Sequence, residues 1–363
     1  MEVPPIRYAT TDDGQSIAYS VAGSGPTLVR VQGWFTHIEH EWPWGHLPWE
    51  RLAEHFRIVL YDGRGFGMSD RDVDEFSAES ESSALDAVVK ALGEPEVALL
   101  GTSAGGATAI RYAASHAETV THLTLLGSGS DEPAMRTEEG LRGMAEFIQG
   151  LASAARSDWE LGTPAFRQTF TTLYMPEATL KDYEQFNKFR RASGSGETVA
   201  KWWESRGDVS RGIGDIAQQV TQPTLVMRRQ GDALSSASGA HYLTRLIPNA
   251  RFVPMKGRNH FFLAREPELE TFITTLRAFL SEGPAEPQAS SPQSLQTIMF
   301  TDLESSTALT QRVGDEAAQG VLHGHNEAFR AALSAHGGRE VKQTGDGIMA
   351  AFPSAVRAVE AAL

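Results

Sequence analysis

The chain of 363 residues contains no cysteine. That excludes disulfides, thiolate nucleophiles and cysteine-ligated zinc, and it suits a reducing cytosol. No stretch of about 18 apolar residues occurs, so no membrane-spanning helix is expected. The opening Met1-Glu2-Val3-Pro4-Pro5-Ile6-Arg7 has no basic region running into an apolar one, so no signal peptide is expected. Basic residues are in deficit, 32 against 46 acidic, for a formal charge of -14. Such a surface repels phosphate backbones and argues against nucleic acid as a partner. The expectation is a cytoplasmic protein with neither a membrane nor a nucleic-acid partner.

What is present is enough for a large core, since 41% of the residues are hydrophobic. The length exceeds what one typical domain needs. Residues 281–294 are rich in Pro, Ser, Gln and Ala with almost nothing apolar to bury, which is linker composition. The reading is therefore a first domain over 1–281, a linker over 282–294 and a tail over 295–363.

In the first domain, short β-branched or apolar runs alternate with helical patterns. Pro26 to Val31, Arg57 to Tyr61, Val97 to Leu100, His122 to Leu126, Thr224 to Met227 and Arg251 to Val253 read as strands. Ser83 to Leu92 and Ala104 to Ala114 read as helices. The alternation predicts an α/β domain, with a mostly parallel sheet covered by helices on both faces. Between about 131 and 220 the strand signal disappears. Phe166, Phe170, Leu173 and Tyr174 lie at helical spacing there, and Trp202-Trp203 follows, so this stretch reads as an inserted helical cap. Its aromatics would pack the cap and together line a pocket beneath it.

Gly101-Thr102-Ser103-Ala104-Gly105 joins the strand at 97–100 to the helix at 104–114. A serine in so sharp a turn stands clear of the sheet edge, and crowding there tolerates only small neighbours, as Gly101, Gly105 and Gly106 are. The helix N-terminus behind it faces the point where negative charge develops in acyl transfer. Ser103 is the expected nucleophile and needs a base. His260, in Gly257-Arg258-Asn259-His260, follows the strand at 251–253 and is the expected base. Asp232 follows the strand at 224–227 and is the expected acid, with Asp131 second. His37, His40, His46, His122 and His241 are less suitably placed. Two backbone N–H donors are expected for the oxyanion, one from Ala104 and one from Trp34 in Gln32-Gly33-Trp34-Phe35. Trp34 and Phe35 are also the expected substrate contacts. Together with Trp42, Trp44 and Trp49 they suggest an apolar or aromatic acyl or alcohol group.

With these parts in place, residues 1–281 resemble the α/β-hydrolase superfamily. The turn Asp62-Gly63-Arg64-Gly65-Phe66-Gly67-Met68-Ser69 matches that family's structural turn. Gln32 departs from the histidine usual before the glycine, which would alter the anchoring of that loop. The resemblance implies an α/β-hydrolase fold with a cap and hydrolysis of a small carboxylic ester without a cofactor. A lactonase, C–C bond hydrolase, amidase or perhydrolase would use the same residues.

The tail resembles the N-terminal half of a class III adenylyl cyclase catalytic domain. Gln296 to Leu303 matches the strand that leads to an acidic residue, and Lys342-Gln343-Thr344-Gly345-Asp346-Gly347 matches the second motif. The resemblance implies Asp302 and Asp346 as metal carboxylates, Lys342 at the adenine, and Mg or Mn once such a domain is completed. The same residues also read as a hairpin turn and a helix cap. Ser305 stands where the family usually has glycine. The transition-state Asn and Arg of the family's second half have no counterpart up to Leu363, so no cyclase activity is expected from this segment alone. A half-sheet of this kind is expected to be disordered, loosely packed or paired with a second copy, which makes a homodimer an expected assembly. The reading from another class is a nucleotide- or metal-responsive regulatory protein.

Overall fold

The β-branched and leucine-rich runs of the first domain form one eight-stranded sheet. The computed structural model describes residues 2–44, 47–282, 297–301, 312, 314–344, 347–352 and 354–362. It divides into two units, 1–286 and 287–363.

The strands of the first unit are β1 (Ile6–Thr10), β2 (Ser16–Ala22), β3 (Thr27–Val31), β4 (Arg57–Tyr61), β5 (Val97–Thr102), β6 (Val120–Leu126), β7 (Thr224–Arg229) and β8 (Ala250–Met255). They lie in the order β1-β2-β4-β3-β5-β6-β7-β8. From β4 to β8 every pairing is parallel, while β2 pairs antiparallel with both β1 and β4. Successive residues of a strand face opposite sides. Leu28, Leu60, Leu100 and Leu225 therefore meet helix Glu268–Leu280 through Phe272 and Leu276. Val29, Leu99, Leu125 and Val226 meet Leu85, Ile110 and Leu243 of three helices on the other face. Burying each such side chain contributes roughly 1.5–3 kcal/mol.

Between β6 and β7 the described chain holds a 3-10 turn and six helices and no strand. Helices Glu138–Asp158, Pro164–Tyr174, Leu180–Ser193 and Gly196–Glu204 each start at a Thr or Ser whose hydroxyl accepts a first-turn N–H, an arrangement worth about 1 kcal/mol per helix. The inward residues Trp159, Phe170, Tyr174, Phe186, Phe189 and Trp202 form a third core with Trp34, Phe35 and Phe261 from the sheet unit. Trp42 and Trp49 do not join it. They lie in the core under helix Glu268–Leu280, and Trp42 Nε1 donates to Ser20 Oγ at 2.6 Å. The indoles of this segment thus divide, with Trp34 and Trp44 toward the cap and Trp42 and Trp49 away from it.

Arg30, in the middle of β3, is wholly buried against Glu41, with Nη2 and Oε1 3.1 Å apart. Burial pushes the Glu41 carboxyl up to about 7, against the pull of Arg30 and with the help of the Asp62 charge. The folded state then keeps a proton that the unfolded chain releases near its ordinary value of 4.5. Stability from this group falls as pH rises from there toward 7. Between about pH 5 and 7.5 the melting temperature should fall more steeply for the parent than for Glu41→Gln, which has no such proton to lose. Parallel melting curves would contradict this.

In the second unit, β9 (Thr297–Phe300), β10 (Arg339–Thr344) and β11 (Gly347–Phe352) form an antiparallel sheet in the order β10-β11-β9. Helices Asp315–Ala335 and Ala355–Ala362 cover one face through Phe329, Leu333, Ile348, Phe352 and Ala358. Ile298 and Phe300 are exposed. Lys342 is exposed on β10 opposite Met349. Asp302, Asp346 and Ser305 lie outside the described residues. Among the described residues, no helix is long and apolar enough to cross a membrane.

Candidate active site

Ser103 sits at φ 52, the one non-glycine residue with positive φ among those described. A left-handed serine costs about 1–3 kcal/mol and persists only where its surroundings over-determine it. Here they are glycines. A Cβ on Gly33 would lie 1.8 Å from Thr102 O, and one on Gly105 would lie 2.2 Å from Gln32 O. A Cβ on Gly101 would press on Ala109 and Gly106, so strand, elbow and helix Gly105–Ser115 approach more closely than any side chain permits. The Ser103 N–H donates to Leu126 O at 2.9 Å, which ties the elbow to the end of β6.

The next residue after that anchor is Gly127, at φ 61. A Cβ there would be 3.1 Å from His260 Cε1 and 3.6 Å from Asp232 Oδ2. The end of β6 thus holds the Ser103 backbone on one side and leaves room for the imidazole on the other. His260 Nδ1 and Asp232 Oδ2 are 2.7 Å apart, both residues being buried. With Nδ1 committed to the carboxylate, Nε2 is the nitrogen left for proton transfer. Asp232 accepts two further bonds, from Ser235 Oγ at 2.5 Å and from Leu234 N–H at 2.9 Å. Burial alone would raise its carboxyl, but the His260 bond and charge, the Ser235 hydroxyl and the Leu234 N–H outweigh it and hold the group below its ordinary value. Asp131 is engaged elsewhere, with Arg136 at 3.0 Å and the Gly214 N–H at 2.8 Å. Three other described histidines have partners elsewhere. His122 bonds Glu282 O, His241 packs on Phe252, and His37, beside His40, is pushed down to about 4 by burial. His46 lies outside the described residues.

The loop carrying Trp34 is braced from beneath. Its Gly33 lies against the elbow, where a Cβ would be 2.9 Å from Ser103 Cβ. Asp62 Oδ2 accepts the N–H of Ile38 at 3.1 Å and of Met68 at 2.8 Å. Gly67, at φ 55, leaves the space that this carboxylate fills. The turn Asp62 to Ser69 is therefore a buttress for the loop. Gln32 anchors the same loop. Its amide lies over Gly63, where a Cβ would be 1.7 Å from Nε2, and its Oε1 accepts the Thr36 hydroxyl at 3.4 Å. Ala104, at the start of the helix, is half-buried beside Ser103, at the end where backbone N–H groups have no intrahelical acceptor.

Trp34 and Phe35 are both buried, stacked at 4.2 Å. Trp34 also meets Phe261 at 4.4 Å and Tyr174 at 4.7 Å. Tyr174 lies 6.0 Å from the His260 ring and stacks on Phe261. Its place beside His260 had no separate signal in the sequence, where it is one of several cap aromatics. Ser235 had one, a hydroxyl three residues after Asp232. A surface hollow of about 300 Å³ lined by Thr11, Asp86 and Lys90 contains none of these residues.

Sheet, elbow and the Asp232–His260 pair together define the class, an α/β protein with a serine presented between a strand and a helix. The alpha/beta hydrolase fold family model matches residues 26–267, and the chain belongs to that family. The model of the adenylate and guanylate cyclase catalytic domain matches residues 289–362. Among curated proteins, the chain is 26% identical to a pimeloyl-[acyl-carrier protein] methyl ester esterase of Aliivibrio fischeri, over 74% of this chain and 98% of the relative. It is 24% identical to a 2-hydroxy-6-oxo-6-(2'-aminophenyl)hexa-2,4-dienoic acid hydrolase of Metapseudomonas resinovorans, over 74% and 88%. Among solved structures, an esterase from Exiguobacterium antarcticum superposes with a TM-score of 0.63 at 22% identity, covering 78% of this chain and all of that one. Relatives of this chain also include a non-heme haloperoxidase of Rhodococcus erythropolis, so the family shared by these proteins carries several chemistries.

Proposed function

We propose that the first unit is a serine hydrolase that cleaves a carboxylic ester through an acyl-enzyme. The observation that carries this reading is the buried Asp232–His260 pair, following strands β7 and β8, with the left-handed Ser103 following the parallel strand β5 of the same sheet. His260 Nε2 takes the Ser103 proton as Oγ attacks the ester carbonyl. The tetrahedral oxyanion is held by the Ala104 and Trp34 N–H groups. His260 then gives that proton to the departing alcohol. Water attacks the acyl-enzyme with His260 again as base, releasing the acid and restoring Ser103. Asp232 fixes the imidazole and stabilises its cation.

Lactone opening, C–C cleavage and perhydrolysis would use the same three groups. The ester reading is preferred because the relatives include named esterases. The aromatic surround of Trp34, Phe35, Tyr174 and Phe261 supports a substrate with an apolar or aromatic acyl or alcohol part. The test is a fluorophosphonate that labels Ser103, combined with p-nitrophenyl esters that vary in chain length and ring content. Labelling at Ser103 with turnover favouring apolar esters is expected. A chain left unlabelled and inert toward the whole panel would sink the reading.

A further inference from the structure

His260 is held from the cap as well as from the sheet. Its N–H donates to Tyr174 O at 2.7 Å. The preceding residue, Asn259, is wholly buried. Asn259 Oδ1 accepts the Glu177 N–H at 2.9 Å, and its Nδ2 donates to Glu266 Oε1 at 2.8 Å and to Glu177 Oε2 at 3.4 Å. Glu266 Oε1 also accepts the Leu263 N–H at 2.9 Å. The other Glu266 oxygen pairs with the guanidinium of Arg229, on β7, three residues before Asp232. Arg229 is buried 4.4 Å over the Phe262 ring, in space that Gly257 leaves open at φ 111. From outside, Arg265 donates to Glu177 O at 2.8 Å and to Asp182 at 2.6 Å.

Tyr174 ends cap helix Pro164–Tyr174, and Glu177 lies in the connector from it to helix Leu180–Ser193. The 174–177 segment is therefore bonded to two consecutive residues of the histidine loop, and that loop is bonded through Glu266 to the strand that leads to the acid. The Asn259 side chain joins Glu177 of the connector to Glu266, which carries the bonds on to β7. Only an amide suits position 259, because one side faces a backbone donor and the other faces carboxylates. Both polar atoms of the Asn259 amide and both Glu266 carboxylate oxygens are bonded within this network, and buried bonds of this kind fix the segments they join relative to one another.

We propose that Asn259 is a positioning residue that couples the cap to the base. The His260 imidazole holds its working orientation while the 174–177 segment is docked on the histidine loop. This rests on the reading of His260 as base. The coupling implies that the connector stays seated during turnover and that substrate enters past another part of the cap.

The test uses Asn259→Ala and Arg265→Ala in the full chain. Readouts are the rate of Ser103 labelling by a fluorophosphonate, kcat and KM on one p-nitrophenyl ester, and the melting temperature. Reaction rates are steep in geometry, and misplacement by about 1 Å costs on the order of 100-fold. Asn259→Ala should lower both labelling and kcat by about that factor, with KM within about threefold. Arg265 is half-exposed, so its loss spares the core, and Arg265→Ala should lower labelling about fivefold at an unchanged melting temperature. Should Asn259→Ala fail to fold, Arg265→Ala decides alone. Labelling at the parent rate in every variant that folds overturns the coupling, as does a raised KM with kcat intact. An unlabelled parent chain would instead sink the serine-hydrolase reading itself.

Discussion

Replacing Ser103 with alanine should lower ester turnover by about a millionfold, the scale seen when a serine hydrolase loses its nucleophile. The only atom removed is the one that forms the covalent bond. The Ala104 and Trp34 N–H groups and the aromatic surround remain, so a residual rate over water of about 10³–10⁴ is expected. Fluorophosphonate labelling should vanish altogether. Ser103→Gly is the informative partner, because it too lacks the hydroxyl but suits the left-handed backbone at φ 52. It should be equally inactive yet more stable than the alanine variant by more than about 1 kcal/mol, read by thermal or urea unfolding. Ester turnover within tenfold of the parent in either variant would remove Ser103 from the mechanism.

Asp232→Asn should lower kcat by about 10⁴-fold with little change in fold, by analogy with the same replacement in a protease triad. An asparagine amide facing His260 Nδ1 would donate to it, which moves the ring proton to Nε2. The nitrogen that should accept the Ser103 proton is then occupied. The replacement also has a signature in acid. The Asp232 carboxyl lies below its ordinary value of 3.8 in the folded state, for burial is outweighed by His260, Ser235 and the Leu234 N–H. A depressed carboxyl contributes stability that is present above its ordinary value and lost as pH falls through the folded one. Below about pH 4 the parent should therefore lose stability faster than Asp232→Asn. Turnover near the parent rate in this variant would shift the acid's role to another residue.

The elbow and the strands behind it were legible because their requirements are local. Val97 to Leu100 is apolar, Gly101, Gly105 and Gly106 are small, and the helix follows at once. The structure extends that strand to Thr102. Asp232 and His260 were legible because each follows a β-branched run at a sheet's carboxyl edge. Strands β1 and β2 were not expected. Their residues mix Tyr, Ser, Thr and Ala, and β1 is an outer strand with Tyr8 exposed, so neither needs an apolar run. Trp42 and Trp49 were grouped with Trp34 by nearness in sequence. The short helices Ile38–Trp44 and Trp49–Ala53 carry them into the core beneath helix Glu268–Leu280, away from the cap. Asn259 and Tyr174 are bonded to segments more than 80 residues away along the chain, which no local pattern displays.

The outer strand β8 carries one more consequence. Met255 O turns inward to the Gln230 N–H at 2.8 Å, so the alternate residue, Pro254, turns outward. Proline has no N–H to offer an incoming strand. A neighbouring chain that tried to lengthen the sheet past β8 would meet a missing rung. Unfolded or edge-exposed neighbours are thus refused there, which guards the hydrolase unit against strand-by-strand aggregation. Two copies that pair in solution would need a surface other than a continued sheet at Pro254.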